Sequence, residues 1–557
     1  MKFNEEKQKQ RLTELKKVEA ENLTEILAKR HGVPYKDLSM GGINMAALLE
    51  VSEKDAREAE LAPFNIINKK IHLGLLSPEN LKSLEVVEDL KRKGFEPIIF
   101  MVSRESLERI WERYKDLSGN KEIHAGSLEI SSAEIVEFLK EASDLEKIKK
   151  LIEEDLTSKK AYRITRILEI MLAGALSTKS SDIHMEPEEK NVRLRFRMDG
   201  VLVDVLDIDL STYKLILSRI KLLSNLKLNV TSKGQDGRFS IKLGEEEIEI
   251  RTSILPVAES ETIVLRILNP KSIGVPLEDL GINPRLLKIL LREAGKPNGM
   301  ILTTGPTGSG KTTTLYAFLK KIYSPEIKII TIENPVEYHL SGIVQTQTNE
   351  EKGYTFLEGL RSALRQDPDV IMVGEIRDRD TAEIAINAAL TGHLVFTTLH
   401  TNTAAGSFPR LIDLGVNPKV LTSAINIAIA QRLVRKLCES CKKKIPLTPE
   451  KKDLVKKTLE AIQDKSYLEN IQTEFNFEPV GCSECHSSGF RGRIGIYEAI
   501  LTNQKIEEIV EQNPSEREIN KAALDQNILN MKQDGILKVL QGITSISELE
   551  RVIDLLE

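Results

Sequence analysis

Between about residues 283 and 435, short apolar runs alternate with stretches of helical spacing. The runs are Met300–Thr304, Lys328–Ile332, Val370–Val373 and Leu394–Thr398. Short apolar strands separated by helices predict a mostly parallel sheet covered on both faces. A second α/β pattern precedes it, from about 156 to 270. There, Ala161 to Leu176 and Tyr213 to Leu228 have amphipathic helical spacing, and Val192–Met198 alternates strictly. Period two sends Val192, Leu194, Phe196 and Met198 to one face and Arg193, Arg195 and Arg197 to the other. Residues 1 to about 155 read as helix-rich, with Leu23, Ile26 and Leu27 at helical spacing, a strand near Pro97–Val102 and a charged, solvated helical connector from Leu145 to Asp155. The pattern divides the chain into segments 1–155, 156–272, 283–435 and 436–557, the last carrying a helical tail, and contains no short-period repeat.

Composition narrows the class. The chain has 557 residues, 41% of them hydrophobic and 29% charged, with a net charge of −5. That suits a multidomain soluble protein and gives no overall positive field for nucleic acid. No apolar run approaches the roughly 18 residues a membrane span needs. The opening Met1-Lys-Phe-Asn-Glu-Glu-Lys7 lacks an apolar signal core. A cytoplasmic location is therefore expected, with any membrane association made through partners.

Gly305-Pro306-Thr307-Gly308-Ser309-Gly310-Lys311-Thr312 forms a complete phosphate-binding loop between an apolar strand and the helix-forming run from Thr313. The glycines let backbone N–H groups turn in on a polyphosphate, and the helix N-terminus adds its positive end. Lys311 can reach the β and γ phosphates, and the Thr312 hydroxyl can ligate Mg²⁺. The later strands each end in polar residues: Glu333-Asn334-Pro335-Val336-Glu337, Gly374-Glu375-Ile376-Arg377-Asp378, and Leu399-His400-Thr401-Asn402. Strand ends of an open α/β sheet line its ligand crevice. Three acids and a histidine are thus expected at the triphosphate edge, where hydrolysis needs groups that hold Mg²⁺, orient water and sense the γ-phosphate.

With GPTGSGKTTT, TIENPVEY, DPDVIMVGEIRD and TGHLVFTTLHTN in this order, the chain resembles the secretion ATPase superfamily, the motors of type II secretion and type IV pili. The resemblance implies a RecA-like P-loop ATPase core preceded by a smaller, PAS-like α/β domain, working as a homohexamer on ATP and Mg²⁺. It implies that Glu337 activates the attacking water, that Glu375 is the Walker B acid and that His400 lies near the γ-phosphate. Asn334 stands where the family usually has Asp. Ser181-Asp-Ile-His-Met-Glu-Pro187, Arg193–Gly200 and Gln235-Asp236-Gly237-Arg238 match the preceding domain, with Gly234 in place of the usual Pro. That domain supplies arginines to the nucleotide in the family. Arg195 is the first candidate, then Arg193, Arg197 and Arg238, against the alternative of cross-strand carboxylate partners. Thr313 joins the nucleotide-binding set.

All four cysteines fall in two pairs, Cys438-Glu-Ser-Cys441 and Cys482-Ser-Glu-Cys485, forty residues apart. Two such knuckles read as a structural Zn²⁺ site, since four thiolates close a tetrahedral ion. The following Ser488–Glu498 also resembles the family, in which this module marks assembly and export motors. His31–Leu38 and Arg104–Tyr114 resemble its N-terminal domain, so docking to an inner-membrane platform or partner is expected, without a cyclic di-GMP site. The expected function is driving type IV pilus assembly, with type II secretion as the alternative and a RecA-like DNA motor behind both. Asn269–Pro284 is the expected hinge.

Overall fold

The computed structural model describes residues 21–38, 44–48, 50–67, 70–114, 127–128, 138–139, 144–157, 163–243, 246–269, 274–469 and 471–555. The charged opening segment and residues 270–273 of the expected hinge lie outside them. The chain divides into two compact units, Met1–Ala125 and Gly126–Glu557.

The first unit is an α/β body rather than a helical one. Strand Lys70–Leu75 lies between Leu61–Ile67, its antiparallel hairpin partner, and Glu96–Met101, its parallel one. The helix Leu81–Arg92 makes the crossover that the parallel pair requires. Trp111 and Tyr114 are buried, and their polar tips are satisfied by the carbonyls of Leu61 (3.1 Å) and Val51 (3.0 Å).

The second unit holds two seven-stranded sheets. The first runs in the order Ser127–Leu128, Gln235–Leu243, Glu246–Pro256, Glu261–Leu268, Asp182–Pro187, Asn191–Met198 and Val201–Asp209, antiparallel except at its first edge. Helices Arg163–Ser177 and Leu210–Leu223 pack on one face, where Leu194 and Phe196 are fully buried. The helix Leu145–Thr157 is no solvated connector. It buries Ile148 and Ile152, and Ile148 crowds so close that a Cβ at Gly174 would lie 2.9 Å from it. The charge pattern hid this face because only one side of the helix is apolar.

The second sheet runs Val344–Gln347, Ile329–Glu333, Val370–Val373, Leu394–Leu399, Gly299–Thr304, Ile425–Leu437, Phe490–Leu501. Every pair is parallel except the last. The four inner strands from Ile329–Glu333 to Gly299–Thr304 are wholly buried, which is why they read as unbroken apolar runs. Strand Ile329–Glu333 extends to Glu333 because that carboxylate is buried and accepts hydrogen bonds from Tyr316, Thr331 and Gln345. The cysteine-bearing tail is continuous with this layer: Phe490–Leu501 is an edge strand of the same sheet, and the buried faces of helices Met531–Leu540 and Ile546–Val552 join its core.

Glu548 ties that tail to the sheet. Its carboxylate accepts from Arg435 N (3.0 Å), Arg435 Nη2 (2.7 Å) and Arg551 Nη2 (2.7 Å), and it is fully buried. Burial alone would raise the carboxyl, but the hydrogen bonds from Arg551 and Arg435 prevail and hold it below its usual range. With a folded value below the unfolded one, this stabilisation is complete above the unfolded value of about 4.3. It is lost as pH falls through the folded value. Glu548→Gln should therefore cost about 3 kcal/mol or more near neutrality and flatten the acid limb of stability. Urea unfolding across an acid-to-neutral pH series measures both.

Candidate active site and metal centre

The phosphate loop leaves strand Gly299–Thr304 and enters helix Lys311–Ile322. Gly305 has φ +150°, and a Cβ there would lie 2.5 Å from the Gln431 carbonyl oxygen, so only glycine lets the loop lie against the neighbouring strand. Gly310, the helix N-cap, is left-handed at φ +90°. Gln431 is buried and anchors the helix by accepting from Thr314 Oγ1 at 2.8 Å. Lys311 is buried, and its ammonium donates to the carbonyls of Gly305 (2.8 Å) and Pro306 (3.1 Å). Burial depresses its pKa, Glu375 opposes the shift and Arg432 adds to it. The Ser309 hydroxyl is buried without a protein partner. An inward ammonium, an orphaned hydroxyl and a glycine cradle at a helix start fit a polyphosphate. Thr312 and Thr313, half-buried, follow in the first turn.

The next strand ends bring Glu375 and His400 together, with Nε2 3.3 Å from the carboxylate and Arg377 donating to its other oxygen. Thr304 fixes the histidine's segment: its Oγ1 accepts from Thr401 N at 2.8 Å and lies 2.7 Å from Thr401 Oγ1. Of the three acids expected at this edge, Glu333 is withdrawn. Burial raises its pKa against the opposing hydrogen bonds from Thr331, Tyr316 and Gln345.

Glu337 faces a different neighbour. Arg251, on strand Glu246–Pro256 of the other sheet, donates to Glu337 Oε2 (3.1 Å) and to the Val336 carbonyl (2.8 Å). The cleft there has a volume of about 520 Å³, bordered by Arg238, Arg251, Arg266, Pro335 and Gln347 among others. Strand register sets Arg238, Arg251 and Arg266 side by side across three strands. Arg238 lies 3.7 Å from Glu249, which also accepts from Arg251 Nε at 3.2 Å.

The other predicted arginines are engaged elsewhere. Arg195 pairs with Glu186, Arg193 with Glu188, and Arg197 with Asp182 at 3.4 Å. Their alternation is as expected, but they lie on strand Asn191–Met198, three strands from Arg251, beside acids on the adjoining strand and turn. Arg251 was missed because it sits in Glu246-Glu-Ile-Glu-Ile-Arg251, which reads as an ordinary charged strand. Its neighbours Arg238 and Arg266 are 13 and 15 residues away in sequence and meet it only through pairing.

The cysteines converge. All four Sγ atoms lie within 4.8 Å of one another, with Cys438–Cys482 and Cys441–Cys485 at 3.8 Å and Cys482–Cys485 at 3.7 Å. An ion about 2.3 Å from four sulfurs sets tetrahedral edges of about 3.8 Å, so the donor set fits zinc and the spacing excludes disulfides. Backbone amides donate to Cys485 Sγ from Cys482 (3.1 Å) and Gly489 (3.2 Å) and to Cys441 Sγ from Gly481 (3.3 Å), as suits thiolates.

The family model described as Type II/IV secretion system protein matches residues 157–551. Similar proteins include the type II secretion system protein E of Pseudomonas aeruginosa, 43% identical over 389 residues, 70% of this chain and 75% of that protein. The type IV pilus assembly ATPase PilB of Myxococcus xanthus is 34% identical over 536 residues, 95% of this chain and 91% of that protein. The PilB of Pseudomonas aeruginosa is 35% identical over 546 residues, 97% of this chain and 92% of that protein. Among solved structures, the pilus retraction motor PilT with bound ADP aligns at 27% identity and TM-score 0.46, covering 69% of this chain and 96% of that one.

Thr304→Val should strip the Thr401 N–H of its acceptor and cost about 1–3 kcal/mol. Hydrogen exchange should accelerate at Thr401 and its neighbours while strand Ile329–Glu333 keeps its protection. Unchanged protection at Thr401 would contradict the role given to this hydroxyl.

Proposed function

This chain belongs to the Type II/IV secretion system protein family and is an ATPase, and from that premise we propose that it is a hexameric motor that powers type IV pilus assembly through an inner-membrane platform protein. Its place would be cytoplasmic, peripheral at that membrane. Among the described residues no helix is long and apolar enough to cross a membrane. The observation that carries the motor reading is the Arg251–Glu337 bridge across the cleft. It ties the residue proposed to activate water to a different sheet, so chemistry at one wall is felt at the other.

In this reading the loop amides, Lys311 and the Ser309 hydroxyl hold the β and γ phosphates. Their oxygens are stronger acceptors than the two carbonyls Lys311 now uses. Glu337 orients the attacking water and takes its proton. His400, held against Glu375, stands near the γ-phosphate. Thr312 and Glu375 would hold Mg²⁺, which supplies positive charge to the phosphates. Arg251, flanked by Arg238 and Arg266, offers a guanidinium to the phosphoryl charge once nucleotide draws it from Glu337. Arg195, occupied by Glu186, is left for contact with a neighbouring subunit. Exchange of the Arg251 contact with each turnover would move one sheet against the other.

The alignments to the two pilus ATPases span nearly the whole chain, including the first unit, and favour pilus assembly. The higher identity of protein E over a shorter stretch of 389 residues favours type II secretion as the second reading. Deleting the gene separates them: lost pili support the first, while retained pili with lost protein export support the second. For the chemistry, Glu337→Gln should bind ATP and hydrolyse it at least about a hundredfold more slowly, within the range for losing a general base. Lys311→Ala should lose binding as well. Steady-state turnover of Glu337→Gln at the wild-type rate would remove Glu337 from this role.

Cys438, Cys441, Cys482 and Cys485 are proposed to hold one structural Zn²⁺. Cys482→Ser should then lower zinc content and thermal stability while leaving the nucleotide affinity of the folded protein near normal. Elemental analysis of the purified protein reads the first, and a full complement of free thiols in metal-free, equally stable protein would contradict it.

A further inference from the structure

A second cation stands beside Lys311 that the scheme above does not use. Arg432 lies on strand Ile425–Leu437, which pairs with the P-loop strand up to Thr304↔Ala430 and then runs on along the loop. A Cβ at Gly305 would lie 3.2 Å from Arg432 Nη1, so the guanidinium rests on the first glycine of the loop. Its hydrogen bonds go to neutral oxygens: the Gln431 carbonyl (3.2 Å), the Asn402 carbonyl (2.9 Å) and Asn402 Oδ1 (3.2 Å). No carboxylate pairs with it among the described residues. The acid that acts on it is Glu498, whose carboxylate is buried and already accepts from Ala404 N (2.9 Å) and Met531 N (3.2 Å).

Two features separate this arginine from an ordinary loop clamp. It is half-buried, and burial depresses its pKa. It also shares Gly305 with Lys311, whose ammonium donates to that glycine's carbonyl at 2.8 Å, and it adds to the depression at Lys311. Like charges held together at a loop of N–H donors are unfavourable until an anion lies between them. The guanidinium has five donors in a planar fork, and its three hydrogen bonds come from Nη1 and Nη2, leaving donors for a phosphate oxygen.

We propose that Arg432 is a second phosphate-binding cation of this site, ligating a terminal phosphate oxygen of bound ATP while holding the segment that follows His400. The inference rests on reading the loop as the ATP site. Asn402 is two residues beyond His400, and Ala404 hydrogen-bonds Glu498, so Arg432 joins the phosphates to the segment that meets the helix Met531–Leu540.

The test is calorimetric titration of full-length protein with ATP in the absence of Mg²⁺, on wild type, Arg432→Met and Arg432→Lys, with melting curves of each without nucleotide. Arg432→Met keeps the aliphatic stem and should weaken ATP binding about tenfold or more, as loss of a charge-assisted hydrogen bond does. Arg432→Lys restores a point charge without the fork and should recover part of it. Adenosine, which has no phosphate, serves as the control ligand, and its competition should be the same in all three proteins. Wild-type ATP affinity in Arg432→Met overturns the proposal. So does an affinity loss that lysine does not relieve, or one shared equally by adenosine. If wild type itself binds no ATP, the reading of the loop fails instead. Should Arg432→Met not fold, the ATP-induced rise in melting temperature of Arg432→Lys decides: a smaller rise than in wild type supports the proposal, an equal rise overturns it.

Discussion

A buried ammonium that forms no ion pair among the described residues is the constraint on which the site depends. Lys311 sits at the start of a helix, out of water, with two carbonyls of its own loop for partners. Carbonyls are weak compensation for a desolvated charge, and Glu375 acts on it only from beyond ion-pair distance. The loop therefore stays primed for an anion, and everything around it keeps it in shape. Gln431 packs against Gly305 and holds the helix at Thr314, and Thr304 pins the neighbouring strand end at Thr401. The acids stand one step back, Glu375 with His400 and Glu337 with Arg251, where they can serve a bound phosphate without neutralising the lysine.

The core around this lysine was legible because its elements are local. The phosphate loop, its flanking strand and helix, the three later strand ends and the two cysteine pairs are each written in a few adjacent residues. The alternation at Val192–Met198 gave the faces correctly, with Val192, Leu194 and Phe196 buried and the arginines outward. It could not give the partners of those arginines. Which acid faces Arg195 depends on how Asp182–Pro187 registers against Asn191–Met198, and that register is a property of the folded sheet. The row of Arg238, Arg251 and Arg266 is hidden for the same reason. Glu333 illustrates a further limit: as a polar residue at the end of an apolar run it reads as a site residue, yet buried donors claim it for the core.

Segment boundaries were harder still. The cysteine-bearing tail reads as an appendage because its motifs resemble nothing in the sheet. It nevertheless supplies the seventh strand, since Phe490–Leu501 pairs antiparallel along most of Ile425–Leu437. A long antiparallel partner at a sheet edge can come from any distance in sequence.

That pairing makes the sulfur cluster the fulcrum of a lever. Cys438 directly follows the strand Ile425–Leu437, and Cys485 precedes the strand Phe490–Leu501 by a short turn. An ion held by the cluster would clamp both strands at one shared end, and Arg432 lies six residues in from it, about 20 Å along the strand. Two strands fixed at a common end cannot slide past each other, but they can twist and bend together. A push delivered to the C-terminal helices through Glu498 and Glu548 would then arrive at the phosphate loop as rotation about a fixed point rather than as slippage. With one ion held by the four sulfurs, a load at the rim would become a change of angle at the phosphate loop, and the stiffness of that joint would set the gearing.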